Sequence, residues 1–282
     1  MPAGRERVSS RMQSLPTKPL RGFSKTVRNA NMPAPMLNLE RSLGWSIGLL
    51  AAVFALFEIT PLDLWVQDRL FDFQREAWLI DGREPAGRVL FYTGPKAAII
   101  AFGALLLVSL VLPASWRTRL PVAFRSRRRG WALFLTLGLV PAAIGWSKSA
   151  TNVFCPSEIR RYGGDVPYVR VLESYPVGDR PQRRGRCFPG GHASGGFALL
   201  ALAGLAHDRR GQWLGIGIGL TVGSLMGFYQ MAKGAHYLSH TLITALVAWI
   251  GFLLLQKAVG VVSRPNDADG FPFMDSRNTQ PR

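Results

Sequence analysis

The chain is short of acids, histidines and cysteines: 17 Asp and Glu stand against 34 Lys and Arg, with four His and two Cys in 282 residues. No Glu or Asp lies at ligand spacing from the histidines and no HExxH occurs, which argues against a zinc centre. Residues 1–35 lack the apolar stretch of a signal peptide and, rich in Arg, Ser and Pro, read as a disordered tail. There is no internal repeat and no separate soluble domain. No nucleic-acid motif accompanies the basic runs, so the net charge of +17 does not point to nucleic acid.

What the chain does have is apolar length. Hydrophobic residues make up 48% and gather in six blocks, Leu43–Ile59, Ala97–Leu112, Trp131–Ser147, Ala193–Ala206, Trp213–Tyr229 and Thr241–Val262. Each is about long enough to cross a hydrocarbon core of roughly 30 Å as a helix, although the fourth is short. They are apolar on all faces, whereas a soluble helix shows an apolar stripe. The prediction is an all-α, polytopic membrane helical bundle with about six transmembrane helices over residues 43–262. A basic tail (1–42) and a C-terminal tail (263–282) flank it. Spans two to six hold almost no charge in their interiors, which argues against a transporter.

The basic residues follow this topology. Residues 1–42 carry eight Lys/Arg against two acids, and the segment 114–130 carries six Arg and no acid. With Arg209, Arg210, Lys257, Arg264, Arg277 and Arg282, they fall on one side of a six-span chain. That is the positive-inside pattern and predicts cytoplasmic termini, with anionic membrane lipids as contacts.

Segments 60–96, 148–192 and 230–240 then lie outside. The first mixes charge with Leu, Trp and Phe, which suggests an interfacial amphipathic helix and a polar turn at Asp81–Glu84. Nothing in it demands chemistry. The second holds eight Lys/Arg against four acids. Its basic character is either incidental or suited to a phosphate site. Cys155 and Cys187 both lie in this loop and would pair in an oxidising compartment; the alternative is two free thiols in a reducing one.

Three of the four histidines stand at span mouths. His192 follows Pro189-Gly190-Gly191 just ahead of the fourth block, where backbone amides at a helix start suit an anion. His236 and His240 are i, i+4 just ahead of the sixth. One imidazole can attack phosphorus while another protonates the leaving oxygen. His207, on the other side, reads as structural or solvated.

Together these pieces resemble the three-part signature of the PAP2 superfamily of membrane phosphatases: Lys148 with Pro156, then Pro189-Gly190-Gly191-His192, then His236 within Gly234-Ala235-His236-Tyr237-Leu238-Ser239. The resemblance covers about residues 43–260. It implies His236 as the nucleophile, His192 as the general acid, and Lys148 with the Gly190 and Gly191 amides as phosphate ligands, with no metal or cofactor. Cys155 stands where the family's first element has arginine, Gly190 where the second has serine, Gln230 where the third has arginine, and His240 where it has aspartate. Lys233 is the expected substitute at the third element, and Arg160, Arg161 or one of Arg183 to Arg186 at the first. His240 is expected to accept a hydrogen bond from His236, and a Cys155–Cys187 bridge to tie the first element to the second. The implied substrate is a lipid phosphate (undecaprenyl pyrophosphate, phosphatidic acid or phosphatidylglycerol phosphate, or lipid A) met at the periplasmic face of a bacterial inner membrane. The alternative is a degenerate lipid-phosphate-binding protein or a transporter.

Overall fold

The computed structural model describes residues 39–260. Seven helices organise it: α1 Leu39–Ile59, α2 Leu62–Gln67, α3 Pro85–Val111, α4 Arg127–Ser147, α5 Ser194–Leu205, α6 Arg209–Ala232 and α7 Leu238–Ala258. A two-residue hairpin, β1 Phe71–Asp72 and β2 Ala77–Trp78, joins α2 to α3. The predicted C-terminal tail lies outside the described residues, as do residues 1–38 of the N-terminal one. Its last four, from Leu39, belong to α1.

Five helices (α1, α3, α4, α6 and α7) are long and apolar enough to cross a membrane. The fourth predicted span is α5, which is too short. Its five α-helical residues are followed by seven in the narrower 3₁₀ form, for a rise of roughly 20 Å. It survives by being enclosed. Phe197, Ala201 and Leu205 pack into cores shared with Leu133 and Val140 of α4, Met226 of α6, and Ala248 and Phe252 of α7. Large apolar residues such as Leu49, Leu105, Val108 and Leu225 stay exposed on the outer helices, as a lipid-facing surface requires.

The contact of α6 with α5 is made by glycine. Gly215, Gly219, Gly223 and Gly227 recur every fourth residue and so share a face. A Cβ on Gly215 or Gly219 would lie 2.5 or 2.4 Å from the backbone nitrogens of Ala203 and Leu200, and one on Gly223 would enter the Phe197 ring. Small residues are what allow helix backbones to close to this distance in a bundle.

At one end of the bundle three consecutive arginines at the start of α4 reach exposed helix-end carbonyls. Arg127 donates to Leu112 after α3, Arg129 to Ala206 after α5, and Arg128 to Gly260 after α7. Cations there satisfy orphan carbonyls and oppose the helix dipoles. Glu40 of α1 and Lys257 of α7 pair at the same end.

The segment after α1 departs from the amphipathic helix expected. α2 has six residues and is inverted: polar Asp63 and Gln67 are buried while Trp65 is exposed. The polar turn at Asp81–Glu84 is present, closed by the Glu84 amide on the Asp81 carbonyl.

Gly219→Leu places its side chain on the α5 backbone and should cost more than about 3 kcal/mol, since even modest overpacking costs 1–3. Gly217 has open space around its α-carbon, and Gly217→Ala should be neutral. Thermal unfolding in detergent, with a large fall in Tm for the first and none for the second, checks both.

Candidate active site

At the end of the bundle opposite the arginine triplet, the last turn of α4, the turn before α5, the turn between α6 and α7 and the start of α3 converge. The turn into α5 runs through a cis Phe188–Pro189 bond and then Gly190 and Gly191. The turn into α7 needs glycine at 234, where φ is +73° and a Cβ would lie 2.3 Å from the Trp78 ring of β2. It is closed by amides of Gly234 and Ala235 on the carbonyls of Met231 and Gln230.

These two turns bring the histidines together. His192 Nδ1 lies 2.8 Å from His236 Nε2, and His236 Nδ1 lies 3.5 Å from both His240 Nδ1 and Cys187 Sγ. At 2.8 Å one ring donates and the other accepts, so the two are not protonated together. His240 is buried between the rings of Phe188 and Tyr237, each 5.1 Å away edge-on. Burial, reinforced by Lys148, Lys233 and Lys96, holds His192 down at about 4. Burial, then His240, Lys148, His192 and Lys233, holds His236 well below the imidazole range. Both rings are therefore neutral near pH 7, with the lone pair of one facing nitrogen engaged by the N–H of the other.

Three lysines frame the pair. Lys148 lies against Gly191, where a Cβ would sit 2.9 Å from its Cε, and burial lowers its pKa. Lys233 stands 5.0 Å over the Tyr229 ring and is lowered by burial and then by Arg88. Lys96, which belongs to none of the sequence motifs, sits 5.7 Å from Tyr92, whose ring meets His192 at 5.1 Å. Its only signal in the sequence is a lone lysine at the mouth of an apolar block.

The expected arginine substitutes are elsewhere engaged. Arg160 binds both carboxylate oxygens of Asp179, and Arg161 holds Asp68 through two contacts of 2.7 Å. Arg183 pairs with Glu158 and Asp165, and Arg184 donates to the Ala150 carbonyl. Three of the loop's seven arginines are thus held by carboxylates, and Arg160 and Arg161, being two of them, are turned away from the histidines. The Gly190 and Gly191 amides are also committed, to the carbonyls of His240 and Pro189. What these glycines contribute is close approach, to the His240 backbone and to Lys148.

Cys155 and Cys187 are joined in a disulfide. It fastens the loop beside the turn of His236, where the Ser157 amide also donates to the Gly234 carbonyl. With His236 the two sulfurs form a cluster within 4.8 Å. A disulfide offers no thiolate, so the group is a poor metal site.

Orthovanadate binding reports the difference between the cations. Lys148→Met should weaken it at least tenfold, while Arg160→Ala and Arg161→Ala leave it within about twofold.

Residues 129–262 match the family model of the PAP2 superfamily. Comparisons with curated proteins and with solved structures returned no match. The matched segment begins in the arginine triplet and includes Lys148, His192, Lys233, His236 and His240. Over α4 to α7, the four helices that carry most of this site, the chain matches the PAP2 superfamily, whose members are phosphatases.

Proposed function

We propose that the protein hydrolyses a lipid phosphate through a phospho-histidine on His236. The observation that carries this reading is the 2.8 Å approach of His192 Nδ1 to His236 Nε2 beside Lys148. Phosphorus enters between the rings. His236 Nε2 forms the N–P bond as the P–O bond to the lipid breaks, and His192 protonates the leaving oxygen. Water then attacks phosphorus while His192 takes its proton. The N–P bond breaks, inorganic phosphate leaves and both histidines are restored. Lys148, Lys233 and Lys96 balance the charge on the non-bridging oxygens, and His240 accepts from His236 Nδ1–H as the ring becomes cationic.

His192 is neutral above about pH 4. The proton for the leaving oxygen therefore arrives with the phosphate monoanion, or moves to His192 once dianionic phosphate lies beside it. The arginine-rich end faces the cytoplasm in this reading, and the histidine end, with its disulfide, faces the periplasm. Undecaprenyl pyrophosphate, phosphatidic acid, phosphatidylglycerol phosphate and lipid A are the substrates to compare.

Phosphate release by purified protein in detergent, with EDTA present, tests the reading. Wild type should turn over, while His236→Ala and His192→Ala lose at least about 10²–10⁴ in rate. Labelled substrate should leave an acid-labile phosphoryl group on His192→Ala and none on His236→Ala. kcat/KM should fall about tenfold per pH unit once the substrate passes its second ionisation, about pH 6 for a phosphomonoester. A folded protein that binds vanadate and releases no phosphate from any of these lipids would instead be a lipid-phosphate-binding protein.

A further inference from the structure

The family's third element ends in an aspartate four residues after the nucleophile, and here that position is His240. The carboxylate at this end comes from elsewhere in the chain. Asp63 is the one buried acid among the described residues, 6% exposed. It lies on α2, which turns its polar face inward. One oxygen accepts the Ser239 amide at 2.9 Å and the other accepts the Ser239 hydroxyl.

Ser239 stands in the first turn of α7, three residues after His236 and one before His240. Tyr237, at the head of that helix, offers no side-chain cap. The amides of a first helical turn have no partner within the helix and need an acceptor from outside. Asp63 supplies it from 176 residues away in sequence. Asp63, Ser239 and His240 also line one small cavity, of about 20 Å³, with Glu58, Tyr168 and Tyr237.

We propose that Asp63 is the positioning residue of the site, holding His236 and His240 in register for phosphoryl transfer by capping the helix turn between them. The proposal rests on the phospho-histidine reading above. Asp63 does not touch substrate. It acts through Ser239 on the turn whose two ends carry the rings.

Ionisation gives this role a pH signature. Burial first, opposed by the bonds to Ser239 and aided by Glu58, pushes Asp63 up to about 6. Glu58 of α1, Tyr168 and Arg170 of the loop, and Tyr237 and His240 around α7 are the other titratable or charged groups facing it. Below about pH 6 the carboxylate takes a proton and its bonds to Ser239 weaken. A raised folded-state pKa means that protonation favours the native state, so stability from this group rises as pH falls through 6. Activity should therefore fall on acidification while the protein does not melt earlier.

The test uses the full chain in detergent with phosphatidic acid and undecaprenyl pyrophosphate as substrates and orthovanadate as an activity-independent probe of the His236 ring. Asp63→Ala should lower kcat roughly 10- to 100-fold with KM within about threefold, and weaken vanadate binding at least tenfold. Asp63→Asn, whose one carbonyl oxygen can still accept the Ser239 amide, should recover part of the rate at pH 7.5 and lose the acid limb near pH 6. Ser239→Ala, which removes one bond and leaves the amide cap, should fall in between. Wild-type turnover with an unchanged kcat in Asp63→Ala, or with an unchanged acid limb in Asp63→Asn should Asp63→Ala not fold, would overturn the positioning role and leave the phosphatase reading standing. An inactive wild type would sink that reading. In that case equal vanadate binding by wild type and Asp63→Ala would sink this one as well.

Discussion

The backbone contact between α5 and α6 governs the rest of the molecule. His192 precedes the first of these helices and His236 follows the second, so their separation depends on how closely the two helices lie where both ends meet. Glycines 215, 219 and 223 clear that face of α6, where the α5 backbone occupies the space at the first two and the Phe197 ring at the third; Gly227 makes the same room for Thr241 of α7. A chain with alanine there would hold the helices apart by the width of a methyl layer. Two rings that now meet at 2.8 Å would then be carried out of hydrogen-bond range. The shortness of α5 belongs to the same arrangement. Enclosed by α3, α4, α6 and α7, it need not span a bilayer by itself.

Burial then decides the chemistry of what has been brought together. An imidazole in water titrates near neutrality, but His192 and His236 are surrounded by apolar packing and by three lysines, and both effects favour the neutral ring. A neutral ring beside a cationic frame suits a nucleophile that awaits an anion, because the phosphate dianion itself restores the basicity that burial removed. The arginines of the neighbouring loop do not blur this balance. Asp68, Asp179, Glu158 and Asp165 hold Arg160, Arg161 and Arg183 in surface pairs, which contribute little stability but keep planar cations off the rings.

The helical membrane fold was legible in the sequence, because a helix apolar on every face suits lipid and little else. The two turns bearing His192 and His236 were legible too, because Pro-Gly-Gly and Lys-Gly-Ala are strong local signals. The true length of α5 was not, since a block of fourteen apolar residues reads alike as α-helix or as α passing into 3₁₀. Nor were the partners of the loop arginines, which depend on contacts spanning up to 93 residues. Asp63 was hidden for a related reason. In a mixed stretch of Leu, Trp and Asp the hydrophobic residues are assumed to turn inward, and here the neighbouring turn of α7 reverses that by demanding an acceptor.

Two buried polar groups near this end carry opposite lessons. Gln230 is fully buried and its amide finds no hydrogen-bond partner among the described residues. It stands where the family's third element has arginine, and an unpaired guanidinium in so enclosed a position would need an anion always at hand. A neutral amide costs about 1–3 kcal/mol when unpaired, far less than a charge, so glutamine at this position burdens the fold less than arginine would. Asp63 runs the other way. Ionised at pH 7 against a pKa of about 6, raised from 3.8, it costs the fold about 3 kcal/mol by linkage. Asparagine would avoid that penalty but has one carbonyl oxygen, whereas Ser239 brings two donors, its amide and its hydroxyl, to two oxygens. Two acceptors on one short side chain are what a carboxylate supplies and an amide does not, and the ionisation cost follows from that need.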